Sequence, residues 1–113
     1  KSEILDPGGF ILMAEIDLEV IGTFAYIKKG DHLYEFSKMA INPNQRGKGY
    51  GNIMMKYAIS FAKKHKWKKI ILYSNTILKN SIHLYRKYGF IEVKMEEPVI
   101  YSRGNIKMEL DLV

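Results

Sequence analysis

The sequence contains no cysteine among its 113 residues. A disulfide framework, a thiolate nucleophile and a cysteine-ligated zinc site are therefore excluded. The composition is compatible with a reducing, cytoplasmic location. The histidines His32, His65 and His83 are scattered along the chain without metal-ligand spacing, so we expect no metal site.

Long apolar runs are also missing. No stretch approaches the roughly 18 apolar residues of a membrane-spanning helix, so we expect no membrane association. Residues 1–4 lack the apolar segment and small-residue cleavage site of a signal peptide. Repeats, low-complexity segments and linkers are absent too. A length of 113 residues with 47% hydrophobic content therefore predicts one globular domain over residues 1–113. Because Lys1 is not a methionine and leads at once into a strand-like segment, we expect a fragment or a processed chain.

Positive charge is in excess, with a formal net charge of +6. This favours an anionic partner, which could be nucleic acid, an acidic surface or a phosphorylated cofactor. The lysines between Lys56 and Lys66 cluster on one predicted helix face without interleaved aromatic residues. That pattern is a poor match to a single-strand nucleic-acid surface, so we expect no nucleic-acid partner.

Hydrophobic periodicity predicts a mixed fold. Three strand-like runs at 10–16, 19–27 and 33–41 are separated by short turns and predict an antiparallel meander. From Tyr50 the apolar residues follow the i, i+3, i+4 spacing of an amphipathic helix, and a short strand is predicted at 69–73. A strand, a helix and a strand form a crossover, so the strands at 33–41 and 69–73 should be parallel.

A second helix is predicted after this crossover. Asn80 or Ser81 is its predicted N-cap, and Gly89 suits its C′ position. Two more strands are predicted at 90–95 and 105–112. The fold class is therefore α/β (α+β), with a mixed, mostly antiparallel twisted sheet that contains one βαβ crossover.

The connection before the first helix alternates glycine with larger residues: Arg46, Gly47, Lys48, Gly49, Tyr50 and Gly51. Glycine permits close backbone approach and positive φ, and the amides of a helix start attract an anion. No Walker A string occurs. The spacing G-x-G-x-x-G fails from Gly47, where the last position is Asn52, and from Gly49, where it is Met54. A phosphate cradle is predicted, and a simple tight turn is the competing interpretation.

Two strings resemble the motifs of the GNAT acyltransferase superfamily. The first, [QR]-x-x-G-x-[GA] between a strand and a helix, matches Arg46, Gly49 and Gly51. The second, L-Y-x-K-x-G-F at the end of a helix, matches residues 84–90. The resemblance extends from about Phe10 to the end of the chain and implies the acyl-CoA N-acyltransferase fold. The family normally begins with a strand and one or two helices that help to form the acceptor site, and we expect this chain to lack them.

The resemblance implies acetyl-CoA as co-substrate and no metal. The cofactor's diphosphate is expected on the amides of the glycine-rich connection, and its pantetheine arm beside the preceding strand. The implied cofactor contacts are Met39, Ala40, Ile41, Arg46, Gly47, Lys48, Gly49, Tyr50, Gly51, Asn52, Asn75, Asn80 and Tyr85.

Two residues are predicted to be catalytic. Glu35, on the strand before the cradle, is the predicted base that takes a proton from the amine, and a solvated strand glutamate is the competing interpretation. Tyr85 matches the family's tyrosine and is the predicted acid for the leaving thiol, against a core aromatic role. Arg86 and Lys87, with Lys79, are interpreted as a solvated basic face.

The predicted function is transfer of an acetyl group to a primary amine of a small molecule or a peptide. A non-catalytic acyl-CoA-binding module is the alternative. Dimers are common in the family, so a homodimer is expected by analogy alone.

Overall fold

A single sheet organises the part of the chain that the computed structural model describes, residues 2–4, 9–41, 49–95 and 104–113. Its elements are β1 (Ser2–Ile4), β2 (Gly9–Ile16), β3 (Glu19–Gly30), β4 (Leu33–Ile41), α1 (Tyr50–Lys64), β5 (Lys69–Ser74), α2 (Lys79–Lys87), β6 (Ile91–Val93) and β7 (Ile106–Asp111). The strand order is β1-β2-β3-β4-β5-β7-β6. Among the strands of the described ranges, only β4 and β5 pair in parallel, so the predicted mixed sheet with a βαβ crossover is confirmed.

The β2–β3 and β3–β4 hairpins have tight turns. Asp17 and Leu18 have φ values of 50° and 70°, as a two-residue type I′ turn requires. β3 extends to Gly30, beyond the predicted end at Ile27, because Lys28 and Gly30 still pair with β4. The polar composition of this stretch suggested a loop, but an exposed hairpin end accepts charged side chains.

The core lies between the sheet and α1. The buried residues of α1 are Met54, Met55, Ala58 and Ala62. The hydroxyl of the buried Tyr26 donates a hydrogen bond of 2.8 Å to the Ala58 carbonyl oxygen, which ties β3 to the helix. Burial raises the pKa of Tyr26 well above its ordinary value. Trp67, just after α1, is buried and stacks on Tyr34 of β4 with ring centroids 3.6 Å apart.

α2 begins earlier than predicted. Its N-cap is Leu78 and makes no side-chain cap hydrogen bond, so the predicted cap at Asn80 or Ser81 is wrong. The reason is the preceding turn: the carboxamide oxygen of Asn75 accepts a hydrogen bond from the backbone N–H of Ile77 at 3.2 Å. The Asn75 carbonyl oxygen accepts another from the N–H of Leu78 at 2.9 Å. This turn starts the helix before the residues with the best cap propensity.

The other end of α2 follows the prediction. Gly89 has φ 100° at the C′ position. Its N–H donates to the Arg86 carbonyl oxygen at 3.0 Å, and the N–H of Phe90 donates to the Tyr85 carbonyl oxygen at 3.1 Å. These two bonds are those of a Schellman motif. No helix in the described ranges is long and apolar enough to cross a membrane.

Candidate functional site

β4 and β5 separate along their length. Their parallel pairing begins with Leu33 opposite Lys69 and ends with Glu35 opposite Ile71. β4 nevertheless continues to Ile41. On its other side, β5 stays paired with β7 as far as Ser74. The sheet therefore opens between the carboxyl-terminal parts of β4 and β5, which we call the β4–β5 gap.

A bulge in β4 accompanies this separation. Thr23 of β3 pairs with Ala40, but Ala25 pairs with Ser37, so one step of two residues in β3 faces a step of three in β4. The extra residue bends the strand that carries it. Beyond the bulge β4 still follows β3, and a Cβ atom on Gly22 would lie only 2.6 Å from the Ala40 carbonyl oxygen. The absence of a side chain at Gly22 thus permits the close approach of β4 to β3 at this position.

The start of α1 carries part of the predicted phosphate cradle. Gly49 is the N-cap with φ 75° and ψ 15°, it makes no side-chain cap bond, and no acidic residue lies in the first turn. A Cβ atom on Gly49 would meet no atom of the described residues within 4 Å. The Asn52 N–H donates to the Gly49 carbonyl oxygen at 3.2 Å. Helix geometry leaves the amides of Tyr50 and Gly51 without an acceptor inside the helix, which suits them to an anion.

The upstream half of the predicted cradle is not described. Arg46, Gly47 and Lys48 lie outside the described residues. Within the described half, Gly51 is close to α2, because a Cβ atom there would lie 3.2 Å from the Leu84 Cδ2 atom. Gly51 therefore allows the first turn of α1 to pack tightly against α2.

Tyr85 of α2 lies beside the gap. Its side chain is 8% exposed, and its ring packs against Phe36 with centroids 6.4 Å apart and against Phe90 with centroids 6.0 Å apart. Phe36 directly follows Glu35, the last residue of β4 that pairs with β5. Burial raises the pKa of the Tyr85 hydroxyl, so this group is protonated at neutral pH and is a hydrogen-bond donor.

Glu35 is buried rather than solvated, with 6% exposure. Its Oε1 atom lies 3.4 Å from the Lys29 Nζ atom on the neighbouring strand β3. Because side chains alternate along a strand, Glu35 faces away from Phe36 and the two helices. Tyr85 and Glu35 therefore lie at the same level of the sheet but on opposite faces, at the position where the gap begins.

The predicted cofactor contacts on β4 lie in the bulge and just after it. Met39 and Ile41 are half-buried and pack against the core, whereas Ala40 is exposed. These residues form the part of β4 that no longer pairs with β5.

The three predicted asparagines differ in their surroundings. The Asn52 Oδ1 atom accepts hydrogen bonds from the Lys87 Nζ atom at 2.8 Å and from the Tyr88 hydroxyl at 2.9 Å. The Asn75 side chain holds the turn before α2, and Asn80 is exposed in the first turn of α2. The contact of Lys87 with Asn52 is not foreseen by its interpretation as part of a solvated basic face.

A separate open cavity of about 290 Å³ is lined by residues of α2, β6 and β7 and by Thr76. Its lining includes Lys79, His83 and Arg86 of α2, and Arg86 pairs with Glu92 of β6 at 3.7 Å. The predicted site residues do not line this cavity, so the gap and the start of α1 remain the candidate functional site.

Comparison with known proteins identifies the family to which the chain belongs. The model of the acetyltransferase (GNAT) family matches residues 1–90. The chain belongs to the GNAT family. The family uses acetyl-CoA, and the motif resemblance at Arg46–Gly51 and at residues 84–90 is consistent with this membership.

Solved GNAT structures share the fold. An acetyltransferase of the GNAT family from Staphylococcus aureus Mu50 aligns with a TM-score of 0.79 and 20% identity, over 97% of this chain and 72% of that one. The spermidine N-acetyltransferase from Vibrio cholerae, in complex with CoA and spermine, aligns with a TM-score of 0.79 and 22% identity, over 96% of this chain and 68% of that one. The IAA acetyltransferase from Bacillus cereus gives a TM-score of 0.76 and 21% identity, over 94% and 79%. No curated protein sequence matches the chain.

Proposed function

We propose that this GNAT domain transfers an acetyl group from acetyl-CoA to a primary amine of a small molecule or a peptide. The observation that carries the proposal is the β4–β5 gap, which begins beside Tyr85 and Glu35 and opens toward the carboxyl end of β4, where the chain leads into α1. A long, narrow cofactor with an anionic end and a thioester end suits such a path.

The start of α1 fits the anionic end of the co-substrate. The amides of Tyr50 and Gly51 would donate hydrogen bonds to a diphosphate, and a Cβ atom on Gly49 would meet no described residue within 4 Å. The β4 edge at Met39–Ile41 lies between this helix start and Tyr85 and would hold the pantetheine arm. The co-substrate supplies the thioester when bound, and residues of the chain would bind it and transfer the protons.

The proposed chemistry is attack of the amine nitrogen on the thioester carbonyl carbon. Glu35 takes the proton that makes the amine an unreactive ammonium at neutral pH. The new C–N bond forms as the C–S bond breaks, and the Tyr85 hydroxyl gives the departing sulfur a proton. The amide nitrogen then loses its remaining extra proton to solvent, Glu35 releases its proton to solvent, and Tyr85 takes a proton back from solvent, so the protein is regenerated.

The nature of the acceptor is proposed from chemistry and from a neighbour. The Vibrio cholerae spermidine N-acetyltransferase was solved with CoA and spermine, a small amine. An amine acceptor also suits a buried carboxylate such as Glu35, whose side chain already contacts the Lys29 ammonium.

The alternative, an acyl-CoA-binding module without catalysis, is favoured by one observation. The Glu35 carboxylate is engaged by Lys29 and 6% exposed, so an acceptor amine must reach it past its present partner. If the acceptor amine could not reach the Glu35 carboxylate, the domain would bind acyl-CoA without turnover.

Two measurements test the proposal. Acetyl-CoA should raise the melting temperature, because a ligand of the native state stabilises that state. Release of free thiol from acetyl-CoA in the presence of a panel of primary amines should then distinguish turnover from binding. A thermal shift without thiol release would favour the binding module, and the absence of both would contradict the proposed function.

A further inference from the structure

Lys87, the last residue of α2, does not extend freely into solvent. Its Nζ atom donates a hydrogen bond of 2.8 Å to the Asn52 Oδ1 atom, and it lies 5.8 Å from the centroid of the Tyr88 ring. Because Asn52 is the third residue of α1, a cation from one helix is held at the amino-terminal end of another.

The position of Asn52 fixes where that cation lies. Side chains of an α-helix tilt toward its amino terminus, so the Asn52 carboxamide lies beside the first turn of α1. Its oxygen faces α2, because both donors to it, the Lys87 ammonium and the Tyr88 hydroxyl, come from there. The Tyr88 hydroxyl also lies 3.4 Å from the Asn52 carbonyl oxygen. Asn52 thus holds the ammonium beside the first turn of α1, and the Tyr88 hydroxyl orients the Asn52 carboxamide.

An ammonium beside the first turn of α1 adds to the positive potential that an anion would meet there. The amino terminus of a helix carries a partial positive charge, which disfavours a nearby cation. The first turn of α1 contains no acidic residue that would offset it. Lys87 lies at the carboxyl terminus of its own helix, which favours a cation, and its ammonium is hydrogen-bonded to a side chain in the first turn of the other helix. An anion at the start of α1 would interact favourably with the helix amides and the ammonium at once.

We propose that Lys87 is a further phosphate-binding residue for the cofactor, and that Asn52 and Tyr88 are the positioning residues that hold its ammonium in place. The inference rests on the proposed function, which puts the cofactor's diphosphate at the start of α1. Lys87 keeps two N–H donors besides the one given to Asn52, and these are available to phosphate oxygens. The network also links the phosphate end of the site to α2, the helix that carries Tyr85.

The test compares two ligands in the whole chain. Coenzyme A carries the phosphates, and pantetheine carries the thiol arm without them. Lys87→Met keeps most of the aliphatic stem but removes the charge, and should weaken coenzyme A binding about tenfold, as expected for a hydrogen bond to a charged group. Pantetheine binding should not change. Lys56→Met, which removes an exposed lysine from α1 away from its first turn, is the matched control and should leave both affinities unchanged.

Two further variants separate positioning from simple loss of structure. Tyr88→Phe keeps the ring but removes the hydroxyl that orients the Asn52 carboxamide, and should weaken coenzyme A binding by a few-fold. Asn52→Asp keeps an acceptor for Lys87 and adds a favourable charge in the first turn of α1, so Tm should be maintained or raised. The same carboxylate should nevertheless weaken coenzyme A binding at least as much as Lys87→Met.

The outcomes distinguish this inference from the function on which it rests. If Lys87→Met and Lys56→Met weaken coenzyme A binding equally, or if Lys87→Met weakens pantetheine binding as much as coenzyme A binding, the role of Lys87 is wrong while the proposed function stands. If the wild-type chain binds neither coenzyme A nor acetyl-CoA, the proposed function itself fails, and this inference fails with it.

Discussion

The ring of Tyr85 meets the ring of Phe36 nearly edge-on, with centroids 6.4 Å apart and an interplanar angle of 79°. This contact joins α2 to β4 one residue beyond the last pairing of β4 with β5. The position of the tyrosine hydroxyl is therefore set by a packed pair of aromatic rings. Its substitution by phenylalanine should leave that packing intact and change only the hydroxyl.

Tyr85→Phe should lower kcat by about 100-fold, the usual contribution of a positioned acid, with little change in KM for acetyl-CoA. Steady-state kinetics would measure both constants. Tyr57→Phe, which removes a hydroxyl from α1 where the ring packs against Phe24, is the control and should leave kcat unchanged. An unchanged kcat in Tyr85→Phe would remove Tyr85 from the mechanism.

Glu35→Gln should reduce turnover by about 100-fold at neutral pH, because the acceptor amine stays protonated without a base. Turnover should recover as the pH approaches about 10, where an alkyl amine loses its proton unaided. A pH–rate profile measures this recovery. Lys29→Gln removes the ion-pair partner but keeps the carboxylate, and should not show the same pH-dependent rescue. Equal rates for Glu35→Gln and wild type at neutral pH would contradict the assignment.

Gly49→Glu should abolish the acetyl-CoA-induced rise in Tm, because it places a carboxylate in the predicted anion site. Any side chain at φ 75° should also cost about 1–2 kcal/mol of stability. Gly49→Ala carries that backbone cost without the charge, and its Cβ atom meets no atom of the described residues within 4 Å. Gly49→Ala should therefore keep most of the thermal shift. If both variants respond alike to acetyl-CoA, the cradle does not bind an anion.

Alkaline stability should report on the buried Tyr26. Burial raises its pKa in the folded chain, so above about pH 10 the unfolded chain loses the phenolic proton while the folded chain keeps it. The free energy of unfolding should then fall as the pH rises past this value. Tyr26→Phe should cost about 1 kcal/mol at neutral pH through the lost hydrogen bond to Ala58. Denaturant titrations at several pH values should show a shallower alkaline decline for the variant, and equal slopes would contradict this linkage.

Local patterns carry much of the architecture. The strands follow alternation and turn residues, and α1 follows the 3.6-residue period from Tyr50, because these signals depend on near neighbours in the chain. The parallel pairing of β4 with β5 follows from the crossover between them. Gly49 at a helix start and Gly89 at a helix end were predictable for the same reason, because glycine is favoured wherever the backbone itself requires a positive φ angle.

Tertiary structure decided the features that depend on distant residues. The separation of β4 from β5 accompanies a bulge against β3 and a close approach of β4 to β3 at Gly22, neither of which has a local sequence signal. The start of α2 was set by the Asn75 turn rather than by cap propensity. The contact between Asn52 and Lys87 exists only because α1 and α2 pack on one face of the sheet. The sequence by itself determined which residues have the chemistry for acyl transfer, and packing alone decided which of them meet, because period and propensity act along the chain whereas contacts between elements depend on how the elements pack in space.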